Sequence, residues 1–239
     1  MINHTYSWFA KQRVLPASLM FALTFFHANA QAGMMDDPTV GFVAFDKLEV
    51  SDAEDTPITW EFDAWIKKGL RGVVFTSEGN QVNDENESEN KLVYSHAIAS
   101  YWDAQIGLAY DTHEDENHTW GVIGFSGMAP YFFEADFHAL IDKDGTIGLR
   151  ASAEKELLFT QRLILVPEIE AEAYSDDIPE MKHGSGLSSL ALSMRLKYEF
   201  KREFSPYIGI EWHKKFGETA DYSDEDLETS LVAGFSIWF

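Results

Sequence analysis

The amino-acid sequence predicts an all-β protein, an antiparallel up-and-down transmembrane β-barrel of about twelve strands. Three observations predict it: apolar and polar side chains alternate in runs of about ten residues, long acidic connections alternate with short turns, and the last run continues to the final residue. Strands of globular proteins are usually about 5–6 residues long, whereas a strand tilted across a bilayer needs about 9–11 residues. The length of the runs therefore favours a membrane barrel over a soluble sandwich.

The first 32 residues have the pattern of a secretory signal peptide. Lys11 and Arg13 precede an apolar stretch, Val14–Phe26, and small residues in A-x-A spacing follow it. The apolar stretch of roughly 13 residues is shorter than the ~20 that a transmembrane helix requires. We therefore expect a signal peptide over residues 1–32 and an outer-membrane β-barrel domain over residues 33–239.

The composition is strongly acidic and lacks cysteine. The chain contains 40 Asp and Glu residues against 18 Lys and Arg residues, a formal net charge of -22. Such a charge repels the phosphate backbone of nucleic acids, which argues against nucleic acid as a partner, and it is compatible with the capture of cations. Without disulfides, the stability of the fold must come from burial or from sheet pairing.

Twelve runs predict the strands. In "ITWEFDAWI", Trp60, Phe62 and Ala64 share one face, while Glu61 and Asp63 lie on the other, the period-two pattern of a strand between lipid and water. An even number of strands is typical of bacterial barrels. The predicted strands are Val40–Val50, Ile58–Lys68, Arg71–Glu78, Lys91–Ile98, Trp102–Thr112, His118–Ser126, Tyr131–Asp142, Thr146–Phe159, Arg162–Tyr174, Leu187–Phe200, Ser205–Lys215 and Thr229–Phe239.

The connections differ in length according to their position. Those after odd-numbered strands are mostly long and acidic, such as "GNQVNDENESEN" and "HEDENH", whereas those after even-numbered strands are tight, such as "ASY" and "GMAP". A barrel with both termini in the periplasm has long outer loops and short inner turns in this order. We expect Phe239 to lie at the inner rim, where the last strand pairs with the first and leaves no open edge. Lys155 falls on the predicted lipid face and is expected to reach toward the interface.

Several segments resemble the copper resistance protein B family of bacterial outer-membrane proteins. They include "ITWEFDAWI", "APYFFEADFHALI", "EFSPYIGI" and the closing "VAGFSIWF", and the resemblance spans nearly all of Met35–Phe239. It implies a component of a copper-resistance system in the cell outer membrane that binds copper ions or passes them across that membrane. Family members often carry a Met- and His-rich segment before the barrel, whereas here only Met34 and Met35 remain.

The resemblance also bears on partners. Outer-membrane lipid is an expected partner of the barrel wall. The docking of a periplasmic copper-binding protein at the inner turns is left open by the sequence.

Copper ligands are sought among histidine, methionine and carboxylate side chains, because copper(I) prefers thioether and imidazole groups and copper(II) accepts imidazole and carboxylate groups. In two predicted outer loops, His113 and His118 flank three acidic residues, and Met181 and His183 lie two positions apart. Each pair fits either a metal site or an ordinary polar loop.

The predicted inner face of the barrel carries further candidates. Glu134, Asp136 and His138 lie on one strand, and Glu211 and His213 lie on another. Such rows of carboxylates and imidazoles fit a path that attracts cations. Alternatively, the inward charges pair with one another and stiffen a narrow barrel, since buried ions are seldom left unpaired. The other inward charges are Glu168, Glu170, Glu172, Arg150, Arg162, Arg195 and Lys197.

Catalytic signatures are absent from the sequence. It contains no nucleophile elbow, phosphate loop or H-E-x-x-H motif, so we expect a protein without an enzymatic step. Two alternatives stay open: an outer-membrane barrel with an enzyme or adhesin role, and a soluble periplasmic metal-binding β-barrel. Dependence on detergent separates the soluble alternative, and copper sensitivity of a deletion strain separates the enzyme or adhesin.

Overall fold

The computed structural model describes residues 37–53, 56–82, 85–113, 116–222 and 226–239, most of which belong to one antiparallel sheet. The predicted signal peptide lies outside the described residues. A single 3-10 turn (Pro179–Met181) and a short helix, α1 (Glu218–Asp221), accompany the strands in this part of the chain. The strands are β1 (Thr39–Ser51), β2 (Ile58–Lys68), β3 (Arg71–Val82), β4 (Glu85–Ala99), β5 (Trp102–His113), β6 (Glu116–Ala129), β7 (Phe133–Ile141), β8 (Ile147–Glu154), β9 (Leu157–Leu158), β10 (Leu163–Tyr174), β11 (Gly186–Tyr198), β12 (Phe204–Lys215) and β13 (Leu227–Trp238).

The sheet closes on itself into a barrel. β13 pairs with β1, where Ile237 lies opposite Phe45. Beyond the end of β13, the amide of Phe239 donates a hydrogen bond to the carbonyl of Val43 at 2.8 Å, and the amide of Val43 donates to the carbonyl of Phe239 at 3.4 Å. Closure leaves no edge strand with unpaired backbone groups, and it confirms the predicted fold.

Two of the thirteen strands occupy one position in the wall. β8 and β9 follow one another along β10 and are separated by Lys155 and Glu156, so twelve positions surround the barrel. The interruption lies opposite Pro167, which has no backbone N–H to donate to a neighbouring strand. The amide of Lys155 still donates to the carbonyl of Pro167 at 3.2 Å.

The outward and inward faces of the strands differ in chemistry. Leu108, Ile123 and Ile208 on the outward face are 60–65% exposed, whereas Asp111 and Arg195 on the inward face are almost fully buried. A continuous apolar belt of this kind is typical of strands that face hydrocarbon. Among the described residues, no helix has the length and apolar character needed to cross a bilayer.

The outer connections are shorter than the sequence predicts in two places. β3 and β4 continue to Val82 and Glu85, so most of "GNQVNDENESEN" is paired strand, and β5 and β6 likewise continue to His113 and Glu116. The acidic side chains of these segments indicate that both faces of the hairpins contact water. The strands form there nevertheless, because hydrogen bonds between backbone groups do not depend on apolar side chains. Polar contacts across the hairpin, such as Asn80 Nδ2 to Glu87 Oε2 at 3.3 Å, accompany the extension.

The inner turns carry aromatic side chains. β7 begins at Phe133 and not at the predicted Tyr131, because Tyr131 and Phe132 have φ angles of 68° and 62° and form a tight turn after β6. Both rings are more than three-quarters exposed. The ammonium of Lys155 lies 4.9 Å from the centre of the Phe133 ring, at this same inner end.

Deleting Phe239 is expected to lower the free energy of unfolding by about 2 kcal/mol, because two backbone hydrogen bonds to Val43, each worth about 1 kcal/mol, are lost. Urea unfolding of the refolded barrel in detergent micelles measures the change. Phe239→Leu is the control, since it keeps both backbone hydrogen bonds. An equal loss in the substituted protein would contradict the role of backbone closure.

Candidate functional site in the barrel lumen

Arg195 on β11 is the centre of a buried ion network in the lumen. Its Nη2 donates hydrogen bonds to Glu49 Oε1 at 2.8 Å and to Glu211 Oε2 at 3.0 Å, and its Nη1 donates to Glu168 Oε2 at 2.8 Å. Arg195 is 3% exposed. The network joins β1, β10, β11 and β12, so Glu211, a predicted ligand, serves here as a partner of a guanidinium group.

Arg150 on β8 forms a second network of the same kind. Its guanidinium lies 2.6 Å from Glu89 Oε2, 2.7 Å from Asp111 Oδ2 and 3.4 Å from Glu172 Oε1. Trp120 Nε1 also donates to Asp111 Oδ2 at 2.7 Å. Pairing of inward charges, one of the two sequence-based hypotheses, therefore holds for Arg150 as it does for Arg195.

The other two basic residues of that hypothesis, Arg162 and Lys197, belong to neither network. Arg162 is exposed in the inner turn before β10, where its carbonyl accepts a hydrogen bond from the amide of Glu199 at 2.8 Å. Lys197 lies with its ammonium 6.0 Å from the centre of the Tyr207 ring. Lys47, which the sequence does not single out, pairs with Glu61 and with two carboxylates of β10.

An acidic group in the lumen combines Asp46 of β1 with Glu61 and Asp63 of β2. One carboxylate oxygen from each residue lies within 4.8 Å of the others, and no other described set of three His, Asp or Glu residues is so close. The register of β1 against β2 shifts between Phe45 and Lys47, which leaves Asp46 in a β-bulge. Bulges redirect side chains. The period-two pattern shows Glu61 and Asp63 on the inner face, but no sequence signal places Asp46 beside them.

The predicted residues Glu211 and His213 lie together at the outer end of the lumen. They line a cavity of about 130 Å³ together with Glu49 and Glu228. His213 lies directly opposite Glu228 in the pairing of β12 with β13. Thr59 also lines the cavity, and the next inward-facing residue of β2 is Glu61. The cavity therefore leads toward the acidic group of Asp46, Glu61 and Asp63.

The predicted row on β7 lies elsewhere in the lumen. His138 is 6% exposed, with Nε2 2.8 Å from Gln105 Oε1 and Nδ1 3.5 Å from Lys91 Nζ, so both ring nitrogens contact protein groups. Asp136 is partly buried, and Glu134 is exposed near the inner end of the strand. A metal role for these three residues stays a prediction.

His113 and His118 do not lie in a loop but in the outer ends of β5 and β6. His113 Nδ1 lies 2.8 Å from Glu87 Oε1. His118 Nε2 lies 3.2 Å from Asp142 Oδ2, and its ring packs on Trp120 with centroids 4.3 Å apart. The two imidazoles thus have different carboxylate partners, and their metal role also stays a prediction.

The connection between β10 and β11 folds into the outer end of the barrel and forms a plug, residues 175–185. Met181 is buried in an apolar cluster, and the 3-10 turn contacts β5 and β6 across the lumen. His183 stacks on Tyr174 with ring centroids 4.6 Å apart, and burial lowers the pKa of His183. The predicted Met181 and His183 pair therefore packs the plug. The apolar cluster consists of Val93, Ala109, Trp120, Val122, Leu140, Tyr174, Ile178 and Met181.

A hydroxyl on the next outer connection holds the plug. Thr219 Oγ1 accepts a hydrogen bond from the amide of Gly184 at 2.7 Å and lies 2.8 Å from Ser188 Oγ. Thr219 and Ser188 are both buried. A Cβ atom at Gly184 would come within 2.6 Å of the amide of Thr219, so only glycine allows this approach.

Comparison with known proteins identifies the family. The family described as "Copper resistance protein B precursor (CopB)" matches residues 39–239, which span the whole barrel. The chain belongs to the copper resistance protein B family. Copper resistance protein B of Escherichia coli is 34% identical over 218 residues, which cover 88% of this chain and 74% of that protein.

A second relative belongs to the same family, and the chain is also similar to solved porin structures. The copper resistance protein B homolog of Pseudomonas syringae pv. tomato (strain ATCC BAA-871 / DC3000) is 36% identical over 204 residues, which cover 83% of this chain and 69% of that protein. The NanC porin has a TM-score of 0.50 and 12% identity over 83% of this chain and 99% of its own, and shows a shared fold alone. The KdgM porin has a TM-score of 0.49 and 13% identity over 84% of this chain and 99% of its own.

Arg195→Met is expected to lower the free energy of unfolding by about 3–5 kcal/mol, because the buried Glu49 and two partly buried carboxylates lose their shared cation. Urea unfolding in detergent micelles measures it. Lys197→Met is the matched control, since it removes a lumen ammonium that stacks on a ring, and a loss below about 1 kcal/mol is expected there. Equal losses in the two variants would contradict the central role of Arg195.

Thr219→Ala is expected to raise the ion conductance of the barrel in planar lipid bilayers, because the plug loses the acceptor for the Gly184 amide. Thr219→Ser keeps the hydroxyl and is expected to conduct like the unmodified protein. The same conductance in all three proteins would show that the Thr219 hydroxyl does not hold the plug in place.

Proposed function

We propose that this protein is a barrel of the cell outer membrane that binds copper ions in its lumen, as part of bacterial copper resistance, and carries out no chemical step. The family match and the transmembrane barrel support the copper-resistance role and the location. The predicted signal peptide over residues 1–32 agrees with export. Outer-membrane lipid is the proposed partner of the apolar belt, and docking of a periplasmic copper-binding protein at the inner turns stays a prediction.

The observation that carries copper binding is the acidic group of Asp46, Glu61 and Asp63. Copper(II) accepts carboxylate ligands, and three carboxylate oxygens lie here within 4.8 Å of one another. Lys47 pairs with Glu61 at 2.9 Å, whereas the described ion pairs include neither Asp46 nor Asp63. Carboxylates inside a barrel attract cations, because a local dielectric lower than that of water strengthens the interaction.

The cavity at Glu211 and His213 offers a route to this group from the outer end. Glu228 and His213 supply a carboxylate and an imidazole at its lining, both of which copper(II) accepts. The plug fills another part of the outer end, where Met181 packs against β5 and β6. We propose that copper enters or leaves along the cavity.

The Asp46→Asn, Asp63→Asn double variant is expected to bind copper(II) more weakly by about tenfold or more, equivalent to ~1.4 kcal/mol. Isothermal titration of the refolded barrel with copper(II) measures the affinity, and zinc(II) gives the comparison metal. Asp103→Asn is the matched control, since Asp103 is a lumen carboxylate outside the acidic group that is already paired with Lys67 at 2.6 Å. Unchanged copper affinity in the double variant would refute the proposed site.

A further inference from the structure

Lys47 on β1 holds its ammonium among three carboxylates from two parts of the wall. Its Nζ lies 2.9 Å from Glu61 Oε2, 2.9 Å from Glu168 Oε1 and 3.3 Å from Glu170 Oε1. Glu61 belongs to the neighbouring strand β2, whereas Glu168 and Glu170 belong to β10. The side chain of Lys47 is only 13% exposed. The ammonium therefore occupies the position of a cation bound by oxygen ligands from opposite directions.

The same carboxylates connect this position to two other features of the lumen. Glu61 also belongs to the acidic group with Asp46 and Asp63. Glu168 also accepts a hydrogen bond from Arg195 at 2.8 Å, so its orientation is fixed by a group other than Lys47. Glu168 would thus remain in place if the ammonium moved away.

Charge decides which ions can compete with the ammonium. A monovalent ion gains no more Coulomb energy from the three carboxylates than the ammonium does, whereas a divalent ion at the same distance gains twice as much. The ammonium stands on a flexible four-carbon chain and can swing aside without any backbone change. Lys47 therefore disfavours monovalent ions and yields to divalent ones.

We propose that Glu61, Glu168 and Glu170 form a divalent-cation site that the Lys47 ammonium occupies in this structure, and that an incoming divalent ion binds by displacing Lys47. The inference rests on the proposed function, because that function supplies the identity of the ion, copper(II). The site itself is an additional one. Lys47 is then the residue that gives the lumen its preference for divalent over monovalent cations.

Removing the competing ammonium is expected to raise the affinity of the site. Lys47→Gln should bind copper(II) about tenfold more tightly than the unmodified barrel by isothermal titration, since no internal cation has to be displaced. Lys91→Gln, which removes another lumen ammonium, is the matched control and should change affinity much less. Equal effects of the two variants, or no effect of Lys47→Gln, would overturn the proposal.

The same titration also measures how strongly sodium competes with copper(II). Sodium chloride and N-methylglucamine chloride are compared at equal ionic strength, so that screening is the same and only sodium is small enough to enter. Sodium should weaken copper binding in Lys47→Gln by several-fold and have little effect on the unmodified barrel. Equal sodium dependence in both proteins would contradict the role of Lys47 against monovalent ions.

Labelling of the unmodified barrel tests displacement without any variant. Saturating copper(II) should raise the reaction of Lys47 with an amine-reactive reagent several-fold, read by mass spectrometry with Lys91 as the internal reference. Unchanged labelling of Lys47 while copper is bound would overturn displacement. If the unmodified barrel binds no copper, the proposed function fails; if it binds copper through Asp46 and Asp63 while Lys47 is unaffected, only this inference fails.

Discussion

Backbone pairing between β13 and β1 is the constraint on which the rest of the molecule depends. In hydrocarbon there is no water to satisfy an unpaired amide or carbonyl, so a sheet can cross a membrane only when it is closed. The hydrogen bonds between Phe239 and Val43 complete that closure at one end of the ladder. Closure also creates an interior. The charged side chains of the strands lie there, because the outer face of the wall is apolar.

The charged side chains of the interior are paired in different ways. Arg150 and Arg195 each hold three carboxylates and connect distant strands, which makes that part of the lumen rigid. Lys47 also contacts three carboxylates, but a lysine ammonium is a mobile point charge without the fixed fork of a guanidinium. Asp46 and Asp63 lie close to Glu61, one of the three carboxylates that Lys47 contacts. The rigid networks and the adaptable one therefore lie side by side within one narrow barrel.

The sequence predicts the wall of the barrel far better than its contents. The period-two pattern gives the β2 bounds Ile58–Lys68 as the structure has them, because a side chain that faces lipid must be apolar at every second position. The extended hairpins are missed because acidic residues above the membrane look like loop residues. Asp46 is missed because the register of β1 against β2 shifts at a bulge there, and a bulge has no characteristic amino-acid composition.

The plug is missed for another reason. Met181 and His183 lie two positions apart in a polar connection, which fits an exposed ligand pair as well as a buried segment. Their burial depends on Tyr174, which directly precedes the plug, and on Trp120 and Thr219 from two other parts of the chain. Contacts between residues so far apart in sequence leave no local periodicity, so the single chain predicts the candidate residues but not their surroundings.

The interruption between β8 and β9 has a mechanical consequence. Opposite Pro167 the ladder of backbone hydrogen bonds is interrupted, and Lys155 and Glu156 span the gap. A closed sheet that is interrupted at one place can bend there while the neighbouring strands keep their register. The cross-section of the barrel can therefore adjust at this place without breaking the circle of strands.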